Sequence, residues 1–240
     1  DGYTLLVGGL SNMVFNSALY KTLPYDAQAD FVPIALVARY PYLLVARSDL
    51  KQDTVPSIMA EARTKPDSLT IGTSGSGTGQ HVLAAYFSKT ANMKTLLVPY
   101  KSAQAVYLDL LSGRVDLFFD TLPSVRTHLE SKRAKAVFIT SPARNPAVPD
   151  VPTAKEVGMP SLEMGSWFGL FAPRKTPPEV IVQLRQAVDK AMKDPAMRTR
   201  METAGIEVMS LNPAQTDAFL KTEFNKWTAV IRQSGITADQ

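Results

Sequence analysis

The stretch Ile71-Gly72-Thr73-Ser74-Gly75-Ser76-Gly77-Thr78-Gly79-Gln80-His81 lies between a short apolar segment and a helically spaced apolar run that begins at Val82. This order predicts a strand, a glycine-rich turn and the start of a helix. The first N–H groups of a helix lack partners inside it and, with the helix dipole, favour an anion. Ser74, Ser76 and Thr78 add hydroxyl donors. We therefore predict an anion site, and the alternative is a structural turn in which Thr78 caps the helix.

This stretch does not match three common enzyme motifs. No Gly-Lys-Ser/Thr follows it, so it is not a Walker A loop. Gly75, Gly77 and Gly79 are evenly spaced and lack an acidic partner further on, unlike a dinucleotide fingerprint. A serine replaces the second glycine of the Gly-x-Ser-x-Gly pattern around Ser74, so there is no nucleophile elbow. These absences favour binding over catalysis.

The composition restricts the kinds of site that the chain can build. The 240 residues contain no cysteine, which excludes a disulfide scaffold, thiol catalysis and thiolate metal ligands. The two histidines, His81 and His128, are too few for a multi-histidine site, so we expect no metal and no cofactor. The net charge is +4, but Lys and Arg are scattered, which disfavours nucleic-acid binding. No apolar run reaches the roughly 18 residues of a membrane-spanning helix.

The alternation of predicted strands and helices indicates an α/β fold with parallel sheets. The predicted strands are 3–7, 31–37, 42–46, 68–71, 95–98, 115–119, 135–139 and 166–171. The predicted helices are 16–20, 55–65, the one that follows the glycine-rich loop, 103–111, 123–131, and two more that begin near Thr176 and Asn212. Because parallel strands end at the same edge of a sheet, we expect the loops after them to share one cleft. Those loops are 9–12, 73–78, 100–102 and 120–121.

Individual polar and aromatic residues have more than one interpretation. Asp120, at a strand end, is a general base, a carboxylate that binds a ligand donor, or a helix cap. His81 is favoured as a structural histidine because no serine or aspartate is spaced to form a triad with it. Trp167 and Phe168 are core residues or an aromatic wall of a ligand cleft.

The order and spacing of several motifs resemble one protein family along nearly the whole chain. The motifs include Leu23-Pro24-Tyr25-Asp26, Asp30-Phe31-Val32-Pro33, the loop 72–81, Val98-Pro99-Tyr100-Lys101, Val115-Asp116-Leu117-Phe118-Phe119-Asp120, Val148-Pro149-Asp150-Val151-Pro152-Thr153 and Ser166-Trp167-Phe168-Gly169-Leu170. The chain resembles the extracytoplasmic solute receptors of tripartite tricarboxylate transporters, which are called Bug proteins. No single motif is decisive, but their common order is specific.

The resemblance implies a type II periplasmic binding protein fold, with two α/β lobes, a hinge and an interlobe cleft. It places lobe 1 at 1–43 and 167–240 and lobe 2 at 44–166. It implies a periplasmic receptor, not an enzyme, that captures a small organic carboxylate and delivers it to membrane transporter subunits. Backbone amides, hydroxyls and waters would hold the carboxylate. The predicted ligand-binding residues are Gly9, Ser11, Asn12, Ser74, Gly75, Gly77, Thr78, Asp120, Ser166 and Trp167.

Two departures from the family pattern bear on ligand binding. Members usually begin earlier, with a first strand and a Pro-Gly-Gly loop, so we expect a processed or truncated N-terminus at Asp1 and an incomplete lobe 1. A missing buried strand leaves unpaired backbone groups on its neighbours, which predicts a compensating homodimer or a rearranged lobe. Met13 stands where a histidine is common, which predicts an altered ligand choice. A sensory module of the same fold, signalling to a membrane two-component system, is the alternative function.

Overall fold

The computed structural model describes residues 2–237, so the predictions that involve Asp1 and 238–240 lie outside the described residues. The chain divides into two compact units. Unit 1 comprises the described residues 2–40 and 166–237, and unit 2 comprises residues 41–165. The lobe boundaries that the resemblance implies, 43/44 and 166/167, stay a prediction.

Unit 1 contains short strands and the three C-terminal helices. Strand β2 (Phe31–Arg47) runs on into unit 2, and strand β7 (Gly165–Pro173) begins at the last residue of that unit. In order along the chain, the elements are β1 (Leu6–Gly9), a π-helix (Ser11–Phe15), α1 (Asn16–Leu19), β2 (Phe31–Arg47), β7 (Gly165–Pro173), α6 (Pro178–Met192), α7 (Pro195–Thr203), β8 (Glu207–Val208) and α8 (Pro213–Ser234).

The core of unit 1 is built around its strands and α8. Strand β1 pairs antiparallel with β7, β7 lies beside β2, and β8 pairs antiparallel with β2. Phe15 of the π-helix packs edge-to-face on Trp227 of α8, and both side chains are fully buried. Helix α8 begins with a capping box between Asn212 and Gln215. The helix that bears Ser11 and Asn12 is thus fixed to the core by its last residue.

Unit 2 contains the second half of β2 and the alternating elements that follow it. They are α2 (Val55–Thr64), β3 (Thr70–Thr73), α3 (Gly79–Thr90), β4 (Leu96–Pro99), α4 (Ala103–Leu111), β5 (Leu117–Thr121), α5 (Leu122–Glu130), β6 (Ala134–Ile139) and a 3-10 turn (Pro160–Leu162). Strand β3 is parallel to β4 and β5, whereas β2 is antiparallel to β5 and β6. Helices cover both faces: Phe87 of α3 packs on Phe119, and Val106 of α4 packs with Leu43 and Val45.

The prediction of parallel sheets is wrong for most strand pairs. Within residues 2–237, β3 is parallel to β4 and β5, whereas the pairs of β1 with β7, and of β2 with β5, β6 and β8, are antiparallel. The segment 42–46 is continuously apolar because helices cover both of its faces, and burial on both faces gives this pattern whatever the strand direction. A local pattern therefore reports burial and leaves strand direction open.

Several predicted boundaries and elements also need correction. Segments 31–37 and 42–46 form one strand, β2, which includes Pro33 and Pro41, although a proline cannot donate to a strand ladder. The first strand is Leu6–Gly9 rather than 3–7. After Thr176 there are three described helices and the short strand β8, instead of two helices. Helix α7 has no buried residue, so it lacks the apolar stripe on which the prediction relied.

Candidate anion-binding site

The glycine-rich loop of unit 2 ends in a capped helix, as predicted. Helix α3 begins at Gly79, and Thr78 is its N-cap. The Thr78 hydroxyl oxygen accepts a hydrogen bond from His81 N at 3.2 Å and donates to the Gly75 carbonyl at 2.8 Å. The structure therefore shows the capping role that the sequence left open, and the Thr78 hydroxyl proton is used inside the loop.

The loop backbone adopts conformations that glycine permits. Gly75 has φ +124° and Gly77 has φ +78°, both in the region that side chains disfavour. Within residues 2–237, the backbone N–H groups of Gly79 and Gln80, the first two residues of α3, donate to no protein acceptor. These two donors lie at the positive end of a helix of 12 residues. The loop can thus offer paired N–H groups to an anion.

His81 has a structural role in this loop. Its Nδ1 accepts a hydrogen bond from Gly77 N at 3.3 Å, which requires the unprotonated nitrogen. Burial lowers the pKa of His81, which agrees with a neutral ring. The imidazole therefore stabilises the turn as an acceptor and adds no positive charge to the site.

Tyr42 is a neighbour of the loop that sequence reasoning missed. A Cβ atom on Gly79 would overlap the Tyr42 hydroxyl, so a larger residue at the first position of α3 would require Tyr42 to move. Tyr42 is buried on β2 and is far from the loop in sequence. Because it lies inside a continuously apolar run, no local signal marks it as a partner of the loop.

Asp120 is a buried carboxyl group that three donors hold in unit 2. It is 1% exposed, and its oxygens accept from Tyr107 Oη at 3.0 Å, Gln80 Nε2 at 3.3 Å and Thr121 N at 2.8 Å. Burial raises the pKa of Asp120 to about 6. The Tyr107 ring stacks on His128, with centroids 4.0 Å apart. Gln80 thus connects Asp120 to the start of α3, next to Gly77 and Thr78.

In unit 1 the structure brings Gly9, Ser11 and Asn12 together at the end of β1. The Asn12 side-chain oxygen accepts from Gly9 N at 2.7 Å. Tyr25 Oη donates to the Asn12 carbonyl at 2.7 Å and accepts from Asn16 Nδ2 at 3.0 Å. Ser11 and Asn12 belong to a π-helix, a rare structure that is frequent at functional sites.

Trp167 and Ser166 are both buried in unit 1. The Trp167 ring is 0% exposed, lies 6.0 Å from the Phe219 ring, and donates from Nε1 to Glu223 at 3.1 Å. Burial raises the pKa of Glu223. The Trp167 side chain therefore belongs to the core in this structure, and its place among the ligand-binding residues stays a prediction.

Residues 2–237 contain neither a metal-binding cluster nor a membrane-spanning helix. No group of three His, Cys, Asp or Glu residues in that range could hold a metal ion. No helix in the same range is both long enough and apolar enough to cross a membrane.

The sequence of the chain matches one known family from end to end. The family described as "Tripartite tricarboxylate transporter family receptor" matches residues 1–236. The chain belongs to this family. It is 32% identical to the UPF0065 protein in the tcbD-tcbE intergenic region of Pseudomonas sp. strain P51, a match that covers 100% of the chain and 71% of that protein. It is 30% identical to protein BugT of Bordetella pertussis, over 98% of the chain and 72% of BugT.

Solved structures confirm the predicted α/β periplasmic binding protein fold. The structure of R. palustris Rpa4515 with adipate has a TM-score of 0.91 at 30% identity, covering 99% of this chain and 79% of that one. MatC from Rhodopseudomonas palustris with bound malate has a TM-score of 0.87 at 30% identity. The match covers 96% of this chain and 80% of MatC. The periplasmic binding protein BugD has a TM-score of 0.89 at 28% identity. The match covers 99% of this chain and 80% of BugD. The identification as a Bug receptor is thus confirmed.

Proposed function

We propose that this receptor is periplasmic, captures a small organic carboxylate and delivers it to a tripartite tricarboxylate-type membrane transporter. Membership of the receptor family supports the transport role. Two similar proteins were solved with carboxylates, Rpa4515 with adipate and MatC with malate, which supports the ligand class. We propose no catalytic reaction for the chain.

The observation that carries the ligand class is the pair of N–H groups without acceptors at the start of α3, Gly79 and Gln80. We propose that one carboxylate binds there, against the loop formed by Ser74, Gly75, Gly77 and Thr78. A helix start of this kind contributes roughly 0.3–1 kcal/mol to the binding of an anion. Since the donors are neutral, added salt should weaken binding less than it would for a site built from arginine.

The other predicted contacts are part of the same proposal. In unit 2, Asp120 would accept from a ligand hydroxyl or amine, in addition to its three protein donors. In unit 1, the proposed contacts are Gly9, Ser11, Asn12, Ser166 and Trp167.

Replacing Thr78 with valine tests the proposed anion site. Valine cannot accept from His81 N or donate to the Gly75 carbonyl, so the loop loses two of its internal hydrogen bonds. We expect the affinity for adipate or malate, measured by titration calorimetry, to fall by roughly 1–2 kcal/mol, the range for a lost helix cap. Thr78→Ser, which keeps the hydroxyl, should bind almost as the unmodified protein does.

Thr54→Val is the matched control. Thr54 caps α2 in the same unit by accepting from Ser57 N, so this variant loses an equivalent cap at another helix. We expect a similar loss of stability and unchanged carboxylate affinity. If Thr78→Val bound carboxylates as tightly as Thr54→Val, the loop would be a structural turn only.

A further inference from the structure

A cavity of about 300 Å³ lies wholly within unit 1, between β2, α6 and the segment that joins β8 to α8. This volume is at the small end of the range for ligand pockets. Much of the lining is apolar, namely Ile34, Leu36, Val188, Met192, Met209 and Leu211. The lining therefore favours a small ligand with a hydrocarbon body.

Arg185 of α6 brings a positive charge to this cavity. Within residues 2–237, its protein acceptor is the Pro33 carbonyl, to which Nη2 donates at 2.8 Å. The Nε atom of Arg185 is buried and has no acceptor. A buried donor without an acceptor is rare and costs free energy. The guanidinium therefore keeps donors that the described protein does not use.

The acidic residue of the lining already has a partner. Asp189 lies one turn after Arg185 on α6, and its carboxylate accepts from Lys193 Nζ at 2.7 Å. In the described part of the chain, no carboxylate forms an ion pair with Arg185. The start of the 22-residue helix α8 also borders the cavity, at Asn212 and Pro213, and a helix start favours an anion. The charge of the cavity is thus suited to a negative ligand.

We propose that this cavity binds an aliphatic monocarboxylate, with the carboxylate on Arg185 and the hydrocarbon chain on the apolar lining. Arginine forms strong, charge-assisted hydrogen bonds with a carboxylate. A second carboxylate at the far end of the ligand would lie among apolar side chains without a donor, which costs free energy. The cavity therefore selects acids with one charged end, such as hexanoate, over dicarboxylates. This site is independent of the proposed function, because it shares no residue with the loop before α3.

Methyl resonances of the methionines in the intact chain report where hexanoate binds. Met192 and Met209 line the cavity, whereas Met59 lies on α2 in unit 2. We expect hexanoate to shift the Met192 and Met209 resonances to saturation and to leave Met59 unchanged. Hexylamine, which has the opposite charge, should shift neither, and adipate should bind there at least about tenfold more weakly. The absence of a saturable shift at both methyl groups would overturn the proposal.

Substitution of Arg185 tests the role of its charge. Arg185→Gln should weaken hexanoate binding, measured at Met209, by about tenfold or more, as expected for a lost bond to a charged group. Arg174→Gln is the matched control, because Arg174 also lies in unit 1 and donates to two backbone carbonyls but does not line the cavity. It should bind hexanoate as the unmodified chain does. Equal affinities of the two folded variants would overturn the proposal.

Two further variants complete the test. If Arg185→Gln does not fold, Leu211→Trp serves in its place, because it keeps the arginine and fills the cavity. It should abolish the shift at Met209, and an unchanged shift would overturn the proposal. Thr78→Val should leave hexanoate binding at Met209 unchanged, so a failure of the site in unit 2 is distinguished from a failure of this one.

Discussion

The carboxyl group of Asp120 makes unit 2 sensitive to pH. Burial raises the pKa of Asp120 from its ordinary value of 3.8 to about 6 in the folded protein. Between about pH 4 and pH 6 the folded state keeps a proton that the unfolded chain loses. The contribution of this group to stability is therefore greatest at low pH and is lost as the pH rises towards 6. The pKa difference between the folded and unfolded states corresponds to a change of about 3 kcal/mol at most in the free energy of unfolding.

Urea unfolding at pH 4, 5, 6 and 7, on the unmodified protein and on Asp120→Asn, checks this expectation. Asparagine cannot ionise, and it can still accept from Thr121 N and pair with Tyr107 Oη. The free energy of unfolding of the unmodified protein, relative to the variant, should fall between pH 4 and pH 6 and stay level above. Parallel curves for the two proteins would show that Asp120 is not buried in this way.

At the scale of elements, the π-helix of unit 1 depends on Tyr25. Its hydroxyl donates to the Asn12 carbonyl and accepts from Asn16, so it joins the π-helix to α1. We expect Tyr25→Phe to reduce the free energy of unfolding by about 1–2 kcal/mol, the usual cost of a lost partly buried hydrogen bond. The rate of amide hydrogen exchange should increase in residues 11–16, the π-helix and the first residue of α1.

Tyr20→Phe is the matched control for this element, because Tyr20 follows α1 directly and is 36% exposed. It should leave both the stability and the exchange pattern unchanged. Equal behaviour of the two variants would mean that the π-helix is held by Phe15 packing alone.

At the scale of the whole molecule, unit 2 is one continuous segment, 41–165, with a core of its own. That core joins β2, α4, β5 and α5 through Leu43, Val106, Phe118 and Val125. We expect a peptide of residues 41–165 to fold by itself, with mixed helix and strand signals in circular dichroism and a cooperative thermal transition. A coil-like spectrum at room temperature would contradict this.

The sequence by itself determined the family and most helix starts. Helix caps act over three or four residues, so Thr54, Thr78, Ser102 and Asn212 mark the starts of α2, α3, α4 and α8 without help from the rest of the chain. Gly113 ends α4 with φ +81°, as its position predicts. Motif order identified the receptor family because it extends over nearly the whole chain.

Only the tertiary structure decided strand direction, the face of each strand residue and the partners of the candidate site. Tyr42 and Gly79, or Asp120 and Gln80, are far apart in sequence and meet because β2, β5 and α3 pack together. Trp167 and Phe168 have similar chemistry, and only the register of β7 directs one inward and the other outward. Such contacts depend on long-range pairing, and apolar periodicity reports burial without naming the partner.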